Sequence, residues 1–253
     1  MTESETVLGY RVVTEGTEGC VRRLTEAMAA GLRPGWLACL NPHSYVEARR
    51  NEASRRALSS ADVLIPDGVG VVLGSRLLGV AVSERVSGPD IFLGLMRSLN
   101  EAGGKSVYFL GSTDENLALI RRRVEKEFPR IRWAGSYAPP FKADFTEEED
   151  AAMVAAVNES GADVLWVGMT APKQEIWIHR NLPRLNVQLA GAIGAAFDFY
   201  SGRVKRSHWV WRRLGLEWLP RLVQEPRRLW RRMVVSAPVF VWEVLREKLS
   251  RGR

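Results

Sequence analysis

Short apolar runs, each closed by a break and followed by a stretch of helical period, recur through the first 202 residues of this 253-residue chain. Strands are predicted at Val7–Val13, Trp36–Leu40, Val63–Ile65, Ser106–Leu110, Arg132–Ser136, Val164–Val167 and Val187–Ala190. Most are rich in Val, Leu and Ile without polar alternation, the pattern of strands covered on both faces. Helices are predicted at Gly19–Ala30, Ser44–Ser59, Val69–Leu78, Asp90–Ala102, Asp114–Phe128, Glu147–Ser160 and Lys173–Asn181. Ser112-Thr113-Asp114 precedes one helix, and Thr146 with Glu149 makes a capping box for another. This alternation predicts an α/β fold: a Rossmann-like, mostly parallel sheet with helices on both faces.

Charge divides the chain in two. From Arg203 to Arg253 there are 14 Lys/Arg against 4 Asp/Glu, and five of the nine tryptophans also lie there. The preceding residues carry a slight negative balance within an overall net charge of +7. The expected organisation is therefore an α/β catalytic domain at 1–202 with a small, basic, Trp/Arg-rich helical appendage at 203–253. A chain with 46% apolar residues can bury a sizeable core, and two cysteines are too few for a disulfide scaffold. Met1 to Thr6 is polar and acidic, so no export signal is expected and the default address is the cytoplasm. The most apolar window, Val63 to Val82, contains Asp67 and Arg76, so no membrane span is predicted either.

In open parallel sheets, ligands bind beyond the carboxyl ends of the strands. Those exits read Asn41-Pro42-His43, Pro66-Asp67-Gly68, Gly111-Ser112, Gly168 to Gln174, and Gly191 to Gly194. Asp67 is the sharpest candidate. Pro66 keeps the chain extended before it, and glycines let the backbone turn after it. In a partly apolar crevice, desolvation would raise such a carboxyl toward a range useful for a general base, although a helix cap is an equal reading and the two can coexist. Gly68-Val69-Gly70 with Gly74 is a poor dinucleotide fingerprint, its last glycine one residue late. Thr170 and Pro172 open a helix whose free N–H groups, with Lys173, would seat an anion, while Gln174 could read a base edge or a sugar hydroxyl. Asp198 could hold a ribose or begin a turn. His43, His179 and His208 lack metal-ligand spacing among themselves, and with two distant cysteines no zinc site is suggested; no cofactor is expected.

In the tail, Leu214, Trp218, Leu222, Leu229, Trp230 and Met233 recur at roughly helical spacing among arginines, with Pro220 and Pro226 breaking the run. Three readings fit: an anionic membrane surface, single-stranded nucleic acid, or plain docking on the body.

The ordered blocks Asn41-Pro42, Pro66-Asp67-Gly68-Val69-Gly70, Glu84 to Asp90, Phe109-Leu110-Gly111, Val167 to Glu175, Gly191 to Asp198, Gly202 to Arg206, Leu214 to Leu219 and Glu225 to Arg228 resemble the WecG/TagA/CpsF bacterial glycosyltransferases. The resemblance runs from about Val7 to about Arg232. It implies an inverting, metal-independent transfer of an N-acetylmannosamine-type sugar from a UDP-sugar to a polyprenyl-diphosphate-linked sugar in cell-wall or surface-polysaccharide synthesis. Asp67 becomes the implied base, with Arg212, Arg221 and Arg228 completing the site. Asn41, Gly111, Ser112, Gly168, Pro172, Lys173, Gln174, Gly191, Gly194 and Asp198 become donor residues. Cys39, Arg85 and Asp90 fall to the sugar side, and Lys205, Arg206, Arg227 and Arg231 to the diphosphate and membrane. Family members carry Thr where this chain has Cys39, a weaker hydrogen-bonding group. The implied location is the inner face of the cell membrane, peripherally, as a monomer or a homo-oligomer. A non-catalytic nucleic-acid-binding module using the tail is the alternative, and no nucleic acid is expected on the leading reading.

Overall fold

A computed structural model describes residues 3–82, 84–208, 211, 219 and 230–251. Among these, six parallel strands form the sheet: β3 (Gly35–Leu40), β4 (Val63–Pro66), β5 (Ser106–Gly111), β6 (Arg132–Tyr137), β7 (Val164–Gly168) and β8 (Leu189–Ala192), in the order β4-β3-β8-β7-β5-β6. The predicted α/β class is what forms. Alternation along β3 shows why the strands read as unbroken apolar runs: Trp36, Ala38 and Leu40 enter one core and Leu37 the other. Both faces are covered, so both sets of side chains are apolar.

One face carries α2 (Pro42–Arg50), α3 (Glu52–Ser59), α4 (Val69–Leu77), α7 (Glu147–Glu159) and α8 (Lys173–Asn181). The other carries α1 (Thr17–Ala29), α5 (Gly88–Ala102), α6 (Asp114–Glu127) and the short α9 (Ala196–Ser201). The last helix, α10 (Ala237–Arg251), follows a π-helical turn at Arg231–Ser236 and docks on the first face. Its Phe240 and Val244 are 1% and 2% exposed, closing the core against Tyr45 and Gly74.

Three local expectations change. The predicted strand Val7–Val13 is part of a separate antiparallel hairpin, β1 (Ser4–Val7) with β2 (Tyr10–Val13). Leu8 and Gly9 both adopt positive φ, 49° and 83°, the geometry a two-residue hairpin turn requires. The predicted helix Ser44–Ser59 is two helices, because Asn51 takes an extended conformation and accepts from Ser54 N–H to start the second. Strand β8 begins two residues late, since Gln188 and Leu189 first donate to the Asp163 carbonyl.

Candidate active site

The chain reaches Asp67 through a strand buried at every position. Asp67 N–H donates to the Leu40 carbonyl at 2.8 Å, extending the β3–β4 pairing one residue past Pro66 and fixing Asp67 at the sheet's carboxyl edge. Gly68, at φ 94°, then turns the chain into α4 and occupies its cap position. The cap reading of Asp67 therefore falls. Val86 N–H donates to the Pro66 carbonyl, which lays the Arg85–Ser87 segment alongside the same edge.

Two hollows open above the strand ends. The smaller, about 250 Å³, is lined by Cys39, Asn41, Asp67, Arg85, Gln174 and Arg206, all singled out from the sequence, and also by Glu175 and His43. The larger cleft, about 1010 Å³, is lined by Ser112, Gly168, Pro172, Lys173 and Asp198. Met169, Thr170, Ala171, Gly194 and Ala195 belong to both, so the two are neighbours sharing one wall. The cleft sits between the exits of β5 and β7, whose following helices α6 and α8 pack on opposite faces of the sheet. Such a reversal is where an open parallel sheet leaves a crevice.

Several predicted residues take different places. Gly111 and Gly191 line neither hollow; a side chain on Gly111 would run into the Gly168 carbonyl, and one on Gly191 into the Trp166 ring. Both glycines serve the sheet beneath the site. Pro172 is the cap residue of α8 rather than its first helical residue. Lys173 turns its ammonium to the Lys142 carbonyl at 2.5 Å, 3.8 Å from the centroid of the Phe145 ring. Asn41 caps α2, its Oδ1 accepting from His43 and Ser44 N–H at 3.0 and 2.9 Å.

Asp90 is held by arginine. Arg206 makes a two-pronged contact with it, Nη1 to Oδ1 at 2.6 Å and Nη2 to Oδ2 at 3.0 Å, and Nη2 also donates to Ser87 Oγ at 3.1 Å. Ser87 Oγ donates to Asp90 Oδ2 at 2.5 Å, and Arg85 lies 3.9 Å from that oxygen. Burial pushes the Asp90 carboxyl up, but the bonds from Arg206 and Ser87 and the charges of Arg206 and Arg85 outweigh it and hold it below its ordinary value. Lys205 is exposed beside this pair. Arg212, Arg221, Arg227 and Arg228 lie outside the described residues, as does the side chain of Arg231.

Glu175 was not singled out from the sequence. It is 3% exposed, in the first turn of α8, and Oε1 accepts from Gln174 Nε2 at 2.9 Å while Gln174 Oε1 accepts from Met169 N–H at 3.3 Å. Only its neighbour in the motif hinted at it. Arg203, on the cleft rim, donates to Thr113 Oγ1 at 3.5 Å, and Phe141 stands wholly exposed on that rim. Burial, then Asp67, then Glu175, push the Cys39 thiol well above its ordinary range; its Sγ lies 3.8 Å from the Ala192 carbonyl.

Comparison with known proteins agrees with the earlier resemblance. The model of the glycosyl transferase WecG/TagA/CpsF family matches residues 5–253. The chain is 36% identical over 218 residues, covering 86% of it and 81% of the relative, to the N-acetylglucosaminyldiphosphoundecaprenol N-acetyl-beta-D-mannosaminyltransferase of Bacillus spizizenii. It is 29% identical over 215 residues, 85% of this chain and 80% of the relative, to the Bacillus subtilis enzyme of that name.

Proposed function

The chain belongs to the WecG/TagA/CpsF glycosyltransferase family, and from that premise we propose that it moves an N-acetylmannosamine-type sugar from a UDP-sugar to a polyprenyl-diphosphate-linked sugar, with inversion and without a metal. The named activity of the two Bacillus relatives supports the transferred sugar and the acceptor. Family membership makes the protein an enzyme and sets the non-catalytic nucleic-acid-binding reading aside.

The observation that carries the reading is Asp67 on the wall of the 250 Å³ pocket, next to the 1010 Å³ cleft. Ligand sites for whole small molecules run about 300–1,000 Å³. The smaller hollow therefore suits a sugar ring and the larger one a nucleotide. On this reading the acceptor hydroxyl gives its proton to Asp67, and its oxygen attacks the anomeric carbon opposite UDP. The bond from that carbon to the phosphate oxygen breaks, its electron pair remaining on the diphosphate. Arg85 and Arg206 on the pocket wall and Arg203 on the cleft rim supply charge that a metal would otherwise bring. Lys205, Arg212, Arg221, Arg227, Arg228 and Arg231 join them under the same proposal. Ser112 and Asp198 face the ribose and diphosphate, and Phe141 offers a face for the base to stack on.

No helix among the described residues is long and apolar enough to cross a membrane. Outward-facing Trp242 and Leu249 on α10, 65% and 74% exposed, support peripheral attachment to the inner face of the cell membrane.

The test is Asp67→Asn. It should lower turnover by about 10²-fold or more while UDP affinity and melting temperature stay near those of the parent. Near-normal transfer by that variant would remove Asp67 as the base.

A further inference from the structure

Asn116 lines neither hollow, yet it is 0% exposed in the first turn of α6, directly behind the wall of the larger cleft. Its side-chain amide donates to Ser112 Oγ at 2.8 Å and to Asp198 Oδ1 at 3.3 Å. Those acceptors belong to different elements, the exit of β5 and helix α9, and both line the cleft. An amide nitrogen carries two hydrogens, and here each has an acceptor. Asn116 Oδ1 has no partner among the described residues.

A buried acceptor left unpaired is a net cost to folding. Helix α6 does not need the amide, because Thr113 already caps it, its Oγ1 accepting from Asn116 N–H at 3.3 Å. An apolar side chain of similar size would fill the space without that cost. Its presence is explained by the two N–H groups and what they hold. Ser112 is moreover in the left-handed region, φ 63°, a strained conformation for a non-glycine residue that persists where the surroundings enforce it.

We propose that Asn116 is a positioning residue of the donor site. By tying Ser112 and Asp198 together it presets two polar groups, from two elements, for the ribose–diphosphate part of a nucleoside diphosphate. Preset groups lose less freedom when the ligand arrives. The proposal rests on the reading of the larger cleft as the nucleotide site.

Asn116→Asp is nearly isosteric and replaces both N–H groups by an acceptor, so Asp198 meets a like charge. UDP titration calorimetry, steady-state kinetics and thermal melting on the full chain are the measurements. The expected result is a rise of about tenfold in the UDP Kd and the donor KM, with kcat at saturating donor within about twofold of the parent. Asp198→Asn separates the two levels of the argument. If Asp198→Asn binds UDP as the parent does, the nucleotide reading of the cleft fails. If Asp198→Asn weakens UDP but Asn116→Asp does not, the positioning role alone is overturned. Should Asn116→Asp fail to fold, Asn116→Ser replaces the two N–H donors by a single, shorter hydroxyl without adding charge. Donor KM should then rise about threefold with kcat held, and an unchanged KM or a fall in kcat alone overturns the proposal.

Discussion

Cys39 shares its pocket with two carboxylates, Asp67 and Glu175, and this sets its chemistry. With its thiol held far above the ordinary range, it stays protonated at neutral pH, where a thiol is a weak nucleophile. Cys20, on the buried face of α1, is pushed up to about 12, mainly by burial and then by Glu15. Native protein at pH 8 should therefore resist iodoacetamide at both cysteines and take two labels only once denatured. Rapid labelling of Cys39 in the folded state would show that burial and the two carboxylates do not keep the thiol protonated. The two acids also need separating. Glu175 is engaged by Gln174, whose amide it orients. Glu175→Gln is accordingly expected to cost less than about tenfold in kcat, against about 10²-fold or more for Asp67→Asn. The reverse ranking would hand the base role to Glu175. Asp67 was legible because Pro66 before it and Gly68 after it mark a strand exit locally. Glu175 was not, since nothing in its neighbours along the chain says that α8 turns it inward.

At the scale of elements, the start of the basic segment is fastened to the body by Arg206, which grips the first turn of α5 through Asp90 and its cap Ser87. A two-pronged arginine–carboxylate contact is directional as well as attractive. Asp90→Asn removes the charge from that contact and also releases Arg85, so donor KM should rise several-fold and the melting temperature fall. The pH dependence has a definite sign. Because the folded carboxyl is held below its ordinary value, its stabilising contribution is present above about pH 4 and is lost as pH falls through the folded value. The melting gap between parent and Asp90→Asn should thus stay constant from about pH 8 to 5 and close below about pH 4. A gap that widened on acidification would contradict the assignment. Sequence placed the strands of the sheet well, since strands covered on both faces leave unmistakable apolar runs. It erred where single residues redirect the backbone: at Leu8-Gly9, at Asn51, and around the six-residue α9, which is too short to show a period.

The whole molecule is a mildly acidic body closed by its own last helix. That the tail is basic was plain from the charge count. That its end belongs to the core was not, because helical spacing was followed only as far as Met233, whereas Phe240 and Val244 carry a one-sided pattern four residues apart. Gly74 lets α10 approach: a side chain there would lie 3.0 Å from Val244 Cγ2 and 3.2 Å from Phe240 Cε1. Arg49–Glu243 and the bonds from Lys248 and Arg251 to the Leu77 and Leu78 carbonyls secure the rest. Removing everything after Trp209 would therefore strip a core side chain whose loss alone costs about 3–5 kcal/mol, as well as any membrane contact. Such a truncation should melt lower and lose activity for either reason. The outer face of α10 offers a cleaner experiment, since Val241, Trp242, Leu245 and Leu249 are exposed and belong to neither core. Changing all four to Ser should leave the melting temperature within a few degrees of the parent. It should also reduce sedimentation with anionic vesicles and slow transfer to a polyprenyl-linked acceptor, while sparing transfer to a water-soluble analogue. If vesicle binding is untouched, the membrane is met elsewhere and α10 is a structural closure alone.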